Sequence, residues 1–162
     1  MTALNPKREG VKIMGYTHYW DRAKELDGTN FEAFVADCKK LCSFAGVPLG
    51  NFQGENEPTF SKDQVAFNGR AETDENCEPF YMPRALKPRQ NQETDEAGRY
   101  FAFCKTRLYP YDLCVQGCLI ALKHYFANDV CIHSDGGHED WQPAAHVCQK
   151  ALGYGLDFKL NT

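Results

Sequence analysis

Two short runs of the chain carry most of the side chains that could do chemistry. The first, GYTHYWDR, spans Gly15–Arg22, and the second, FAFCKTRLYPYD, spans Phe101–Asp112. Each run has the pattern of a buried strand that ends in polar groups beside several aromatic side chains. Burying such polar groups costs free energy and does nothing for the strand itself. The two runs therefore predict a small-molecule pocket lined by aromatic side chains, although they identify no substrate.

His18 is the predicted acid–base group of this pocket, because imidazole titrates near neutral pH and so suits proton transfer. Tyr16 and Trp20 stand two residues to either side of it on the same face of a strand. They would form walls on which a flat ligand stacks. A histidine between aromatic residues can also be a satisfied core residue, and both interpretations stay open here.

A second predicted group lies where a strand leads into a helix, and it comprises Lys105, Thr106 and Asp112. A partly desolvated lysine can act as a base or hold an anion. Asp112 follows Pro110 in the first turn of the helix and would orient Lys105 or His18. The structural alternatives are a lysine that extends from a sheet edge and an acid that stabilises a helix N-terminus.

The predicted site draws on both runs and on two turns. We expect its catalytic residues to be His18, Lys105 and Asp112. His18 and Lys105 should then face one shared cavity. The predicted substrate-binding residues are Tyr16, Trp20, Asn68, Thr106, Tyr111, Ser134 and Asp135.

Potential metal ligands are dense near Cys131, His133 and His138, but their spacing does not match the paired two-residue gaps of a structural zinc site. The predicted site therefore includes no metal, and a metal-dependent hydrolase at these residues is kept as an alternative. The chain has no phosphate-binding or dinucleotide-binding glycine motif and no nucleophile elbow of a serine hydrolase. We expect no cofactor.

Composition narrows the class of protein. The chain has 162 residues, a net charge of −4 and a pI near 5.7, which disfavours general binding to nucleic acid. No apolar stretch reaches the roughly 18 residues that a membrane span needs. The N-terminus lacks the apolar region of a secretory signal, so we expect a cytoplasmic protein whose partner is a small molecule. The oligomeric state is left open.

The eight cysteines favour core packing over disulfides. No C-x-x-C motif occurs. Cys38 and Cys42 are four residues apart in one helical pattern, and Cys114 and Cys118 are four apart in another. This spacing places each pair on an apolar stripe, where free cysteine acts as a small hydrophobic residue. We therefore predict reduced thiols.

Hydrophobic periodicity predicts an α+β two-layer sandwich with a mostly antiparallel sheet, in the order β-α-β-β-β-α-β-α-(β). The first strand covers residues 11–20 and is expected to be central and covered on both faces. The first helix follows an N-cap at Thr29 or Asn30. A last edge strand is predicted where Leu156, Phe158 and Leu160 alternate.

Six ordered runs give the chain a family resemblance. It resembles a group of small bacterial and fungal proteins that begin near an MGYTHYW run and continue through FNG, FCKT, PYD and SDG runs to a tryptophan-containing helix. The resemblance implies a domain boundary, with an N-terminal extension at residues 1–13 and one α+β domain at 14–162. It implies no reaction, because that group has no assigned activity. The matching runs are Met14–Trp20, Phe67–Gly69, Phe103–Thr106, Pro110–Asp112, Ser134–Gly136 and Trp141.

These observations lead to one preferred function and two alternatives. The preferred function is a small enzyme that acts on an organic metabolite by acid–base chemistry, as a lyase, isomerase, cyclase or hydrolase. One alternative is a non-catalytic module that binds a small ligand or inhibits a partner protein. The other is the metal-dependent hydrolase described above.

Overall fold

Helices and antiparallel strands combine in an α+β arrangement. The computed structural model describes residues 15–161, and the predicted N-terminal extension (1–13) lies outside the described residues. Short 3-10 turns follow the second helix and precede the third. In chain order the elements are β1 (Thr17–Arg22), α1 (Gly28–Ala45), β2 (Leu49–Gly50), β3 (Thr59–Phe60), β4 (Gln64–Gly69), β5 (Phe80–Pro83), β6 (Tyr100–Lys105), α2 (Asp112–Phe126), a 3-10 turn (Ala127–Asp129), β7 (Val130–Ser134), a 3-10 turn (His138–Trp141) and α3 (Gln142–Leu152).

Strand β1 lies at the centre of one sheet and pairs antiparallel with β6 and β7. His18, Trp20 and Arg22 are buried on its inner face, which packs on the helices. The prediction of a central strand is confirmed. The expectation that both faces are covered is not met among the described residues, because the outer face carries the exposed rings of Phe101 and Phe103.

Strand β4 organises a second antiparallel sheet with β2, β3 and β5. The predicted single sheet is therefore divided in two in the part of the chain that the structure describes. Two of these strands, β2 and β3, are only two residues long. Pairing with β4 forms them, since neither has an alternating pattern of its own. Arg22 joins the two sheets through bonds from its guanidinium to the carbonyl oxygens of Pro83 and Arg84.

Helix α1 begins earlier than predicted because a different residue caps it. The Asp27 carboxylate accepts a hydrogen bond from the Asn30 backbone N–H at 2.9 Å, which satisfies one of the free donors at the helix start. The cap was predicted at Thr29 or Asn30. The helix ends at Ala45 and is capped by Gly46, whose φ of 68° is readily adopted by glycine.

The helices pack on one another and cover the inner faces of the sheets. Helix α2 contacts both other helices and β7, while α1 contacts β3 and β4. Gly117 of α2 lies directly against Leu41 of α1, and a side chain there would overlap it. The predicted α+β fold with antiparallel strands is confirmed. Within residues 15–161, no helix is long and apolar enough to cross a membrane.

The predicted last strand does not form in the described part of the chain. The segment around Phe158 forms no backbone hydrogen-bond ladder with another strand. The Phe158 ring instead stacks on Trp141, with ring centroids 5.1 Å apart. Gly155, with φ at 128°, bends the backbone just before it. In this C-terminal segment, Asn161 exchanges two hydrogen bonds with Ile132 of β7. Ring packing thus replaces strand pairing here.

The cysteines behave as core residues, as predicted. Cys38, Cys42, Cys114 and Cys118 are buried, and each is a free thiol. They meet where α1 packs on α2, with the Cys42 and Cys118 sulfur atoms 3.9 Å apart.

Candidate functional site

The candidate site forms where the N-terminal end of β1 meets the ends of β6 and β7. His18 lies opposite Cys104 on one side and Ser134 on the other. Residues directly opposite in antiparallel strands project to the same face. His18 and Ser134 therefore share the inner face, and the segment after β6 brings Asp112 to the same place.

His18 is hydrogen-bonded through both ring nitrogens. Its Nε2 lies 2.6 Å from Asp112 Oδ1, and its Nδ1 lies 2.8 Å from Ser134 Oγ. The His18 side chain is fully buried, whereas Ser134 is half-buried. These three side chains link the protein interior to the surface in one continuous chain of hydrogen bonds.

Thr106 supplies a second hydrogen-bond donor to the Asp112 carboxylate. Its hydroxyl donates to Asp112 Oδ1 at 2.6 Å, so that one oxygen accepts from both Thr106 and His18. Thr106 is completely buried, and Asp112 is almost so. A buried carboxylate is costly unless donors compensate it, and these two donors do so.

The direction of the hydrogen bonds follows from the charge states of Asp112 and His18. With Asp112 ionised and His18 neutral, His18 Nε2 carries the hydrogen and the unprotonated Nδ1 accepts from the Ser134 hydroxyl. The Ser134 oxygen accepts in turn from the backbone N–H of Gly136 at 2.9 Å. Donation therefore runs from Ser134 through His18 to Asp112, which is the order that a proton relay needs.

Two aromatic side chains enclose the imidazole. Tyr16 and Trp141 both meet the His18 ring edge to face, with centroid distances of 5.2 and 5.0 Å. Trp141 was not among the predicted site residues. The contact between Trp141 and His18 depends on how α3 docks, which no local sequence pattern encodes.

The Tyr16 hydroxyl is buried without a hydrogen-bond partner among the described residues. Burial raises the pKa of Tyr16, and the carboxylates of Asp112 and Asp140 raise it further. The hydroxyl therefore stays protonated at neutral pH, as a donor next to His18. Gly136 packs against it so closely that a β-carbon there would overlap the hydroxyl oxygen.

Asp135 fastens the turn after β7 to the start of β1. Its carboxylate accepts from the Thr17 backbone N–H at 3.0 Å and from the Tyr19 hydroxyl at 3.1 Å. Its own N–H donates to the Thr17 carbonyl. Asp135 is exposed, so it lies at the rim of the site and holds the strands that position His18 and Ser134.

Lys105 lies on the other face of the sheet. It is the register partner of Thr17, one residue from His18, and side chains alternate between faces along a strand. Lys105 is exposed, and its backbone N–H bonds to the Glu78 carboxylate at 2.7 Å. The structure thus brings Asp112 and Thr106 to His18 and separates Lys105 from it.

Three more predicted residues have roles in holding the fold. The Tyr111 hydroxyl donates to the backbone carbonyls of Glu78 and Lys105. The Asn68 side-chain amide bonds to four backbone groups, one at residue 69 of β4 and three in the loops at residues 52 and 77. Trp20 is buried against Phe80 in the core. None of these three side chains is hydrogen-bonded to His18 or forms a ring pair with it.

A second chemical cluster lies on the outer face of the same sheet. One ligand atom from each of Asp21, Cys131 and His133 lies within 4.8 Å of the other two. His138, the third residue of the predicted alternative, instead contacts Gln142 at 3.1 Å. Asp21 is the third member of the observed cluster, because β1 pairs with β7 and Asp21 is the register partner of Cys131. Strand alternation predicts on which face Asp21 lies, but only the strand pairing shows that Cys131 and His133 are its neighbours.

The comparisons with known proteins add no assignment to this geometry. No family model, no curated protein and no solved structure matches the chain.

Proposed function

We propose that this protein is a small enzyme that acts on an organic metabolite by acid–base chemistry at His18. The observation that supports it is the chain of hydrogen bonds from half-buried Ser134 through His18 to Asp112. A carboxylate bonded to one ring nitrogen stabilises the imidazolium that forms when the other nitrogen takes up a proton. Asp112 is the orienting group, and Thr106 holds Asp112.

Ser134 is proposed as the proton carrier between His18 and substrate. The imidazole is fully buried, so a substrate at the surface meets Ser134 first. A proton can pass from the substrate to the Ser134 oxygen while the hydroxyl proton passes to His18 Nδ1.

Proton transfer is favoured over acyl transfer by a Ser134 nucleophile. Acyl transfer needs backbone N–H groups free to stabilise an oxyanion. In the turn after Ser134, the Asp135 N–H bonds to the Thr17 carbonyl, the Gly136 N–H to Ser134 Oγ, and the Gly137 N–H to the Asp140 carboxylate. These donors are occupied, so a lyase or isomerase reaction fits the turn better than ester or amide hydrolysis.

Hydrogen–deuterium exchange at carbon tests the proposal directly. The protein is incubated in D2O with a panel of 2-oxo acids, 3-oxo acids and lactones, and loss of each α-proton signal is followed by NMR. We expect catalysed exchange for at least one compound. His18→Gln should lower that rate by about 100-fold or more, because an amide cannot take up the proton.

His146→Gln provides the matched control, since His146 is an exposed histidine on α3. The His146→Gln variant should catalyse exchange of the substrate α-proton at the wild-type rate. Exchange that is equally fast in His18→Gln, or absent for every compound in the panel, contradicts the proposal. Ligand-induced shifts without any exchange would favour the non-catalytic binding module.

A fluorophosphonate probe separates proton transfer from serine nucleophilicity. We expect intact-mass spectra to show no adduct at Ser134, since the backbone N–H groups of the turn after it are already hydrogen-bonded. An adduct on wild-type protein that is absent in Ser134→Ala would favour a hydrolase instead.

A further inference from the structure

We propose that Asp21, Cys131 and His133 form a binding site for a divalent transition metal of the zinc class. The site lies on the outer face of the β6-β1-β7 sheet, opposite to the face that carries His18. It shares no residue with the proposed proton relay. The proposal therefore stands or fails independently of the proposed function.

The sheet itself brings the three ligands together. Asp21 and Cys131 are register partners in β1 and β7, so their side chains project side by side. His133 is two residues beyond Cys131 in the same strand and therefore on the same face. Ligands on two paired strands keep their spacing better than ligands on a loop.

The distance between the Cys131 sulfur and the His133 nitrogen fits two ligands of a tetrahedral ion. Cys131 Sγ and His133 Nε2 are 3.3 Å apart. Zn–S and Zn–N bonds of about 2.3 and 2.1 Å put two tetrahedral ligands about 3.5 Å apart. An Asp21 oxygen lies within 4.8 Å of both atoms. The proposal requires that a change of the Asp21 side-chain torsions bring this oxygen to bonding distance. A thiol–imidazole hydrogen bond alone would not account for the carboxylate beside the pair.

The donor set selects the class of ion. One sulfur, one imidazole nitrogen and one carboxylate oxygen are the ligand types that Zn²⁺ takes in proteins, whereas Mg²⁺ and Ca²⁺ prefer oxygen alone. All three side chains are half-buried, which leaves the fourth position open to water or to a small ligand. Three protein ligands with an open position are typical of reactive rather than purely structural zinc sites.

The neighbouring charges are balanced. The Arg99 guanidinium is close enough to act on both Asp21 and Cys131. Its Nε donates to the Asp95 carboxylate at 2.7 Å, and a second nitrogen donates to the Asn128 carbonyl. Asp95 therefore offsets the charge of Arg99, and Asp21 with a Cys131 thiolate can neutralise a divalent cation.

Titration of the full chain with Co²⁺ tests the site, because cobalt replaces zinc and absorbs light when a thiolate binds it. We expect a thiolate-to-cobalt charge-transfer band at one equivalent that Zn²⁺ displaces. Cys131→Ser should lose the band. Asp21→Asn and His133→Gln should weaken cobalt binding by at least about tenfold. His138→Gln and Cys77→Ser serve as controls and should bind like wild type.

Protection of the thiol gives a second readout on unmutated protein. Cys77 and Cys131 are the half-buried thiols, and the other six are buried. With limiting iodoacetamide, Zn²⁺ should slow alkylation of Cys131 by about tenfold or more and leave Cys77 unchanged, as measured by peptide mass spectrometry. No band and no protection overturn the proposal, as does a band that Cys77→Ser removes and Cys131→Ser retains.

Discussion

His18 and Asp112 are 94 positions apart in the chain, yet His18 Nε2 lies 2.6 Å from Asp112 Oδ1 inside the core. The contact joins the central strand β1 to the first turn of α2. Each side chain is buried, so each supplies the partner that makes burial of the other tolerable. The pair therefore contributes to the position of α2 against the sheet as well as to any chemistry at His18.

Replacement of Asp112 by asparagine should lower the free energy of unfolding by about 1 to 3 kcal/mol. The amide keeps the shape, but it loses the negative charge that accepts from both His18 and Thr106. Urea unfolding of Asp112→Asn measures the loss. Asp135→Asn is the control, because its carboxylate is exposed, and it should cost less. Equal losses of unfolding free energy in the two variants would show that the buried hydrogen bonds of Asp112 stabilise the protein no more than the exposed ones of Asp135.

The sequence predicted those parts of the site that are close together in the chain. Thr106 and Asp112 are six residues apart at one strand-to-helix junction, and they do meet. Ser134 reaches His18 only because β7 pairs with β1, and no local pattern encodes that pairing. The same register sends Lys105 to the opposite face from His18. A shift of one residue in register would exchange those faces.

The helices were predicted well for a similar reason. The apolar stripe of α1 reflects a periodicity within one segment, and the structure buries that stripe. The divided sheet and the absent last strand depend on contacts between distant segments. Leu156, Phe158 and Leu160 alternate in the sequence as strand residues do, but the Phe158 ring stacks on Trp141 and the segment pairs with no strand. The sequence of one segment does not show whether ring packing or strand pairing will form.

Gly136→Ala should destabilise the protein by about 1 to 3 kcal/mol. The added β-carbon would overlap the Tyr16 hydroxyl oxygen and lie 3.1 Å from the β-carbon of Asp140. Thermal and urea unfolding report the change. Tyr16→Phe in the same chain should restore much of the stability, because it removes the overlapping oxygen, which lacks a hydrogen-bond partner among the described residues.

Gly137→Ala is the matched control for that experiment. The nearest atom to a β-carbon at Gly137 is an Asp140 carboxylate oxygen at 3.9 Å, which is an ordinary contact. Its φ of −95° suits alanine. We expect a change within about 0.5 kcal/mol. If Gly137→Ala costs as much as Gly136→Ala, the crowding at Tyr16 is not the cause.

Stability should fall as the pH rises above about 9. Burial raises the pKa of Cys38, Cys104 and Cys118 above the usual 9.0, and that of Cys148 to about 12. Over that range the unfolded chain releases thiol protons that the folded protein keeps. Bound protons are then fewer in the unfolded state, so the free energy of unfolding decreases with pH.

Each such thiol contributes about 1.4 kcal/mol per pH unit between its unfolded and folded pKa values. Urea unfolding at a series of pH values in the presence of a reductant measures the slope. Below about pH 8 these thiols are protonated in both states, and they should add no pH dependence. Stability that is unchanged or higher at about pH 10 than at pH 8 contradicts this expectation.

Arg22→Lys should cost about 2 to 4 kcal/mol, because a point charge cannot replace the planar fork of this guanidinium. Arg22 is 1% exposed and forms no ion pair with a described residue. Burial lowers its pKa to about 10, so it is still a cation at neutral pH. Backbone carbonyls of residues 23, 24, 83 and 84 accept its hydrogen bonds and join the two sheets.

Lysine has three donors on one nitrogen, so it would leave some of these carbonyl oxygens without a partner and the sheets less firmly joined. Arg89→Lys is the control, since Arg89 is exposed, and it should change the free energy of unfolding by no more than about 0.5 kcal/mol. Urea unfolding of both variants provides the comparison. Equal stability of the two variants would mean that Arg22 contributes charge but no link between the sheets. A specific loss in Arg22→Lys would locate that link at the end of β1, four residues along the same strand from His18.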